Sequence, residues 1–251
     1  MRKLVLDIGN SRLKWAVIDN QQLSFGGAYP YRQRDFKELA SEIWQDLTVD
    51  HVAVANVGGD DVAKQLRDWV ADKWQLDVQF LLAGLQSHGV KNGYATPFQL
   101  GVDRWASVIG AWQQHKAPVC VYDCGTAITV DVVDDKGQLL GGTISPGMNL
   151  MVKSLVSGAD GLKDFANNCF DSQRGGELTI FAKDTRSAIL NGCLLNAVSF
   201  MECTANELRI TYPDMKFLVT GGDSELLMPY LSEHFQHNPF LVLEGADVLS
   251  T

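Results

Sequence analysis

Two short strings in this chain carry the residue types that bind phosphate. Asp7-Ile8-Gly9-Asn10-Ser11-Arg12-Leu13-Lys14 brings together a carboxylate, a glycine, an amide, a hydroxyl and two cations, and Asp123-Cys124-Gly125-Thr126 repeats the carboxylate, glycine and hydroxyl. Glycine lets backbone N–H groups approach a phosphate, Asn10, Ser11 or Thr126 adds donors, and an aspartate holds a cation through oxygen. Taken singly, each string is more often a hairpin turn with no ligand. A third string, Phe217-Leu-Val-Thr-Gly-Gly-Asp223, runs a strand through two glycines into a helix; it suits close backbone approach to a ring or phosphate, or is simply a tight turn. Asp103 falls in the first turn of a predicted helix, where it is either a dipole-compensating cap or the carboxylate that accepts a hydroxyl proton in phosphoryl transfer. Arg104 beside it has the planar fork that pairs with a substrate carboxylate, the plainer reading being a solvent-facing side chain.

The first two strings belong to an internal repeat. Residues 7–26 laid over 123–142 match at Asp7/Asp123, Gly9/Gly125, Val17/Val133, Asp19/Asp135, Gln22/Gln138, Leu23/Leu139 and Gly26/Gly142, well above what composition alone gives. Each copy follows an apolar strand and reads as strand, Asp-x-Gly turn, strand, polar turn, strand. Alternation supports this, with Leu13, Trp15 and Val17 on one face of the first copy and Ile128, Val130 and Val132 on one face of the second. After the first copy the pattern predicts a helix from Phe36 to Leu47, a strand Val52 to Val57, a helix Val62 to Trp74 and a strand Val78 to Leu82. A loop over 84–98 follows, then a helix Val102 to His115 that buries Trp105, Ile109 and Trp112. After the second copy come helices near Asn149–Val156 and Asp184–Ile210, a strand Lys216 to Val219, and a helix through Leu226 and Leu231. The expectation is a duplicated α/β fold of residues 1–117 and 118–251, linked near Ala117-Pro118, with a nucleotide held between two lobes. The stretch 157–176 has little periodicity and is a loop or lid candidate.

Composition narrows the partners. With 21 Lys+Arg against 30 Asp+Glu the net charge is -9, which opposes nucleic acid and acidic membranes and argues against a two-metal nuclease. The expectation is that no apolar stretch approaches the roughly 20 residues that span a bilayer, and only three apolar residues separate Arg2-Lys3 from Asp7, which is no secretory pattern. The five cysteines, Cys120, Cys124, Cys169, Cys193 and Cys203, form no C-x-x-C pair and read as reduced thiols in a cytoplasm. His234 and His237 read as a solvated helix end. The apolar stripe Ile189, Cys193, Leu194, Ala197, Val198, Met201 and Ala205 is either core or an interface.

These strings together resemble the type III pantothenate kinases of the acetate and sugar kinase, Hsp70 and actin superfamily. The matching residues are Asp7-Ile-Gly-Asn-Ser11 with Lys14-Trp15; Asn92-Gly-Tyr94 with Pro97 and Leu100-Gly-Val-Asp-Arg104; Asp123-Cys-Gly-Thr-Ala127 with Thr129 and Asp131; Gly141-Gly142-x-Ile144-x-Pro146-Gly147; Thr185 with Ala188-Ile189-x-Asn191-Gly192; and Thr220-Gly-Gly-Asp223. The one departure is Ser for Thr at Ser11, which keeps the hydroxyl; the tail Gly245 to Thr251 matches nothing. The resemblance implies duplicated RNase H-like, actin-like ATPase domains with a nucleotide cleft between them, and ATP-dependent phosphorylation of pantothenate, the first step of coenzyme A biosynthesis. It implies Mg²⁺ with ATP, a monovalent cation (K⁺ or NH₄⁺), and a homodimer. Residue by residue, it puts Asp7, Ile8, Gly9, Asn10, Ser11, Arg12, Leu13, Lys14 and Thr126 on ATP, with Asp7 toward Mg²⁺ and Asp123 on the monovalent cation. Tyr94, Gly101, Val102, Asp103, Arg104 and Thr185 surround pantothenate, with Asp103 as catalytic base. Two alternatives stay open: a non-catalytic relative, which should have lost one of Asp7, Asp103 or Asp123, and a kinase of the superfamily acting on another acceptor.

Overall fold

Period-two alternation folds each repeat copy into a sheet edge, and the parallel strands that follow complete it. In the computed structural model the first sheet contains β1 (Lys3–Ile8), β2 (Arg12–Asp19), β3 (Gln22–Pro30), β4 (His51–Asn56) and β5 (Val78–Phe80), in the order β3-β2-β1-β4-β5. Its helices are α1 (Phe36–Trp44), α2 (Asp60–Trp74) and α3 (Val102–His115), and a small ribbon, β6 (Gln86–Ser87) with β7 (Val90–Lys91), precedes α3. The second sheet contains β8 (Val119–Cys124), β9 (Ala127–Val133), β10 (Leu139–Pro146), β11 (Lys216–Thr220) and β12 (Phe235–His237), in the order β10-β9-β8-β11-β12. The remaining helices are α4 (Met148–Gly158), α5 (Thr185–Thr211), α6 (Ser224–Leu227) and α7 (Leu241–Leu249). Both sheets thus share one plan: an antiparallel first pair continued by two parallel strands. The structure describes residues 1–159, 161–162 and 180–251, so most of the 157–176 stretch and Cys169 lie outside the described residues.

Two compact units result, Met1–Gln114 with Gly137–Leu139 and Phe240–Thr251, and His115–Lys136 with Leu140–Pro239. In the first, Leu4, Leu6, Ile8 and Leu13 pack against α1 and α2 around Trp44 and Trp69. On the other face of the sheet, Val5, Ala16 and Ala55 meet Val102 and Ala106 of α3 and Val242, Leu243 and Ala246 of α7. The tail that resembled nothing is therefore a core helix of the first unit, although in chain order it follows the second repeat. Its contact with α3 is close: a Cβ on Gly245 would overlap the Ala106 carbonyl, and one on Gly110 would lie 2.9 Å from the Leu241 carbonyl oxygen. Lys3 ties the same helix to β1, its buried ammonium donating to Asp247 Oδ1 at 2.5 Å and Ser250 Oγ at 2.7 Å.

In the second unit the α5 stripe is core. Leu194, Ala197, Val198, Met201 and Ala205 join Cys120, Tyr122, Cys124, Ile128 and Val130 of the sheet, while Ile189 and Cys193 meet Val152 and Val156 of α4. Contrary to the sequence expectation, one helix, α5, is long and apolar enough by length and composition to cross a membrane; its stripe is packed in the core of the second unit. The histidines also differ from expectation. His237 lies in β12 with Nε2 2.8 Å from Ser224 Oγ, and His234 Nε2 is 2.6 Å from Arg209 Nη1. Among the described cysteines all four are free, with Cys120, Cys124 and Cys193 buried.

The α3–α7 crossing generates a stability prediction. Gly245→Ala must displace backbone rather than a flexible side-chain end, so it should destabilise by about 2–3 kcal/mol, the upper part of the range for overpacking. Urea unfolding checks this; a loss below about 0.5 kcal/mol would show that the crossing yields without cost.

Candidate active site

The first phosphate string becomes the β1–β2 hairpin. Asp7, almost fully buried near the end of β1, pairs in register with Lys14 on β2 and Ala55 on β4, so all three side chains share one face. Gly9, Asn10 and Ser11 make the turn, closed by Gly9 N–H donating to Arg12 O at 3.0 Å. Asn10, Ser11 and Arg12 are exposed at the tip, whereas Ile8 and Leu13 are buried in the core and can offer a ligand only main-chain atoms. Two residues that sequence reasoning missed hold the turn from behind. Tyr31 Oη donates to Gly9 O at 2.8 Å, and Arg32 donates from Nε to Asn10 O and from Nη2 to Gly58 O at 3.1 Å. Burial pushes the Tyr31 phenol above its ordinary pKa, the nearby Arg32 partly opposing, so the phenol remains a proton donor. No local pattern marks these residues, because their partners are backbone carbonyls some twenty positions away. A cavity of about 450 Å³ behind them is lined by Arg34, Phe36, Gly59 and Asp60 among others, and by none of the site residues the sequence predicted.

The second string forms the β8–β9 hairpin, closed by Gly125 N–H donating to Ala127 O at 2.9 Å, with Thr126 exposed at its tip. Two other family strings brace it. Gly147 N–H donates to Thr126 O at 3.0 Å, and a Cβ on Gly147 would lie 2.7 Å from that oxygen. Gly221, at φ +99°, lies against the end of β8, where a Cβ would come within 2.6 Å of Asp123 Oδ1, and Asp223 N–H donates to Cys124 O at 2.8 Å. Of the Gly-Gly pair, Gly221 is therefore needed for close approach to the second hairpin, whereas a Cβ on Gly222 would meet nothing within 4 Å. Burial raises the Cys124 thiol well above its ordinary pKa, the carboxylates of Asp123 and Asp223 adding to this, which makes it a packing group rather than a nucleophile. Among the described residues no group of three His, Cys, Asp or Glu is placed to hold a metal ion. A cation at Asp123 would need neutral oxygen ligands, and the register supplies them: Thr129 on β9 and Thr220 on β11 flank Asp123, each with a buried Oγ1 that has no hydrogen-bond partner.

The predicted acceptor residues Tyr94, Gly101, Val102, Asp103 and Arg104 come together at the start of α3. Asn92 knots the preceding loop: its Nδ2 donates to Gly84 O at 3.0 Å and Pro97 O at 3.2 Å, and its Oδ1 accepts from Tyr94 N–H at 3.0 Å. Gly93 lies so close to Leu139 that any Cβ would overlap its carbonyl. Tyr94, thus held, carries the Arg104 guanidinium 5.7 Å from its ring centroid, within cation–π range. Arg104 is buried, so the solvent-facing reading does not hold. The Asp103 carboxylate folds back on its own turn, with Oδ1 accepting from Arg104 N–H at 2.8 Å and lying 2.5 Å from where a Cβ on Gly101 would stand. Burial raises the Asp103 pKa above the ordinary carboxylate value, against the opposing pull of the Arg104 N–H and charge. Val102 is core, and Thr185 is exposed in the second unit at the start of α5, after the Asp184 cap.

Comparison with known proteins follows the same lines. The family model for type III pantothenate kinase matches residues 3–207. The type III pantothenate kinase of Nitrosococcus oceani is 36% identical over 249 residues, covering 96% of this chain and 91% of that protein. Among solved structures, a Campylobacter jejuni protein assigned to the Baf family of transcriptional activators superposes with a TM-score of 0.54 at 21% identity, covering 98% of this chain and 96% of that one. A ROK family glucokinase from Streptomyces griseus, in complex with glucose and AMPPNP, does so with a TM-score of 0.52 at 12% identity, covering 98% of both chains. These two likenesses support the fold, the two-domain nucleotide-binding α/β architecture.

The loop geometry yields a prediction. Asn92→Ala removes three hydrogen bonds from one side chain, so amide exchange across residues 84–98 should rise at least tenfold while the sheets keep their protection. Hydrogen–deuterium exchange checks this; unchanged protection in the loop would show that Asn92 does not hold it.

Proposed function

The chain belongs to the type III pantothenate kinase family and catalyses ATP-dependent phosphorylation of pantothenate, the first step of coenzyme A biosynthesis, and from that premise we propose that Asp103 is the base. The observation that carries this reading is the Asp103 carboxylate itself. It is half-buried, raised in pKa and oriented by the Arg104 N–H, beside a buried guanidinium stacked on Tyr94. The pantothenate hydroxyl oxygen attacks the γ-phosphorus and its proton passes to the Asp103 carboxylate. The bond from phosphorus to the bridging oxygen breaks, and ADP leaves with that electron pair. A raised pKa suits the task, because a stronger base takes the proton more readily. Arg104, pointed by Tyr94, is the partner assigned to the pantothenate carboxylate, with Tyr94, Gly101, Val102 and Thr185 around the same substrate.

ATP is assigned to the hairpin Asp7 to Lys14 and to Thr126, with Lys14 as the cation beside Asp7. Mg²⁺ with ATP, near Asp7, and a monovalent cation, K⁺ or NH₄⁺, at Asp123 would offset charge on the transferring phosphoryl. The Asp123 assignment is supported by the two unpartnered hydroxyls beside it. A homodimer in the cytoplasm remains the assembly and location proposed. The α5 stripe lends the dimer no support, since it is occupied by the core. A non-catalytic relative would lack one of Asp7, Asp103 or Asp123, and all three are present.

The test is ADP release with ATP, Mg²⁺ and potassium across a panel of hydroxyl and carboxylate acceptors, run on wild type and Asp103→Asn. Pantothenate should stand out, and Asp103→Asn should lower turnover at least a hundredfold with ATP affinity near wild type. Stability should move the other way. The raised pKa means that folded Asp103 holds its proton more tightly than the unfolded chain, so its stabilising contribution is present at low pH and is lost as pH rises through the raised value. Asparagine keeps the acceptor for the Arg104 N–H without the charge, so Asp103→Asn should melt at or above wild type at pH 7. The wild-type kcat/KM should fall on acidification at a pH above 3.8, the ordinary value for this side chain. A variant that melts lower yet keeps most of its activity would reduce Asp103 to a helix cap.

A further inference from the structure

Asp123 stands in a row of three oxygen-bearing side chains across adjacent strands. Register sets it opposite Thr129 on β9 and opposite Thr220 on β11, and directly paired residues project to the same side of a sheet with Cβ atoms about 4.5–5.5 Å apart. Thr220 is wholly inaccessible to solvent, and the Oγ1 atoms of both threonines are buried with no partner for either. Buried hydroxyls are ordinarily hydrogen-bonded, and two orphans on either side of one carboxylate call for an occupant that takes oxygen ligands. Gly221 follows at once with a positive φ of +99°, and a Cβ there would overlap the Cys124 main-chain O and N and lie 2.6 Å from Asp123 Oδ1, so the backbone packs closely beside that carboxylate.

The other repeat copy shows that the row is not a by-product of the fold. At the corresponding positions of the first sheet, Asp7 lies between Lys14 and Ala55. One row thus carries its own ammonium and a methyl group, and the other carries only oxygens. Asp131, two residues further along β9, pairs with Val121 and lies buried on the same face, diagonal to Asp123. The row itself holds one carboxylate and two neutral hydroxyl oxygens, a set that matches a singly charged ion; the tighter binding of divalent ions draws on more carboxylates among the ligands, and no group of three acidic, His or Cys side chains is placed to hold a metal among the described residues.

We propose that Thr129 Oγ1 and Thr220 Oγ1 are ligands, together with the Asp123 carboxylate, of one monovalent cation. This rests on the reading of Asp123 as the cation's carboxylate and extends it: the two hydroxyls complete the site and set its affinity. A bridging water is the competing occupant, and it would leave the response to potassium indifferent to either threonine.

Thermal unfolding of the full chain, titrated with KCl against Tris chloride at constant ionic strength, with and without Mg·ADP, tests the proposal without reference to activity. The wild-type melting temperature should rise with potassium and saturate, and Asp123→Asn should abolish that rise. Thr220→Val and Thr129→Val should each raise the half-saturating potassium at least tenfold, the loss typical of removing a supporting partner at a metal site, while Thr220→Ser stays within about threefold. In Tris without potassium, Thr220→Val should melt no lower than wild type, since valine fills a similar shape without a buried hydroxyl. Half-saturation within threefold of wild type in both valine variants, with the response still lost in Asp123→Asn, would overturn the hydroxyl ligands and leave the Asp123 reading standing. No potassium response in wild type under either nucleotide condition would overturn both. Should Thr220→Val fail to fold, Thr129→Val and Thr220→Ser carry the same comparison.

Discussion

A strand that carries aspartate one residue before its end and then turns through glycine can pair with a neighbour on each side only if its carboxylate emerges beside fixed partners. This constraint operates twice here. Asp7 and Asp123 cannot move relative to the residues opposite them without breaking ladder hydrogen bonds on both flanks. The turn that follows is equally constrained. In the first copy Tyr31 and Arg32 occupy the carbonyls of Gly9 and Asn10, and in the second the main chains of Gly147 and Asp223 are bonded to Thr126 and Cys124. Each hairpin is therefore pre-organised by groups outside its own turn, the condition under which backbone dipoles stabilise developing charge most effectively.

Duplication supplied the frame, and divergence at the paired positions supplied the chemistry. The two sheets share strand order and the Asp-x-Gly turn, yet the neighbours of the aspartate differ completely: lysine and alanine in one, two threonines in the other. Because a paired residue projects beside its partner, changing the residue opposite an aspartate changes its electrostatic surroundings without altering the backbone. A cation built into one row and hydroxyl oxygens in the other give the two carboxylates distinct surroundings from one repeated pattern.

The start of α3, the acceptor side in the proposed reading, is organised differently, by loop knots rather than ladders. Asn92 replaces the hydrogen bonds that a strand would have provided, Gly93 lets the loop lie against Leu139, and Gly101 leaves room for the Asp103 carboxylate. Burying that carboxylate half out of water costs stability and raises its basicity by the same physical step, the desolvation of its charged form.

Much of this was legible in the residues themselves. Periodicity marked α3 from Val102 to His115 and the strands of both copies, because alternation and helical spacing are local properties of a chain that buries one face. The repeat and the family strings pointed to Asp7, Asp103 and Asp123, since hairpin turns and a helix start are set within a few residues. What the sequence left open were contacts between distant segments. The α5 stripe reads the same for core and interface until the sheet against it is known. The place of α7 in the first unit depends on the bare surfaces of Gly110 and Gly245, well over a hundred positions apart, and strand β12 was too short to show alternation. Arg32 carries no local signal because its acceptors are backbone carbonyls, which every sequence possesses. Thr220 became a neighbour of Asp123 only through strand pairing, and its hydroxyl was seen to lack a partner only once everything around it had a position, because burial and hydrogen-bond satisfaction are properties of packed space and not of chain order.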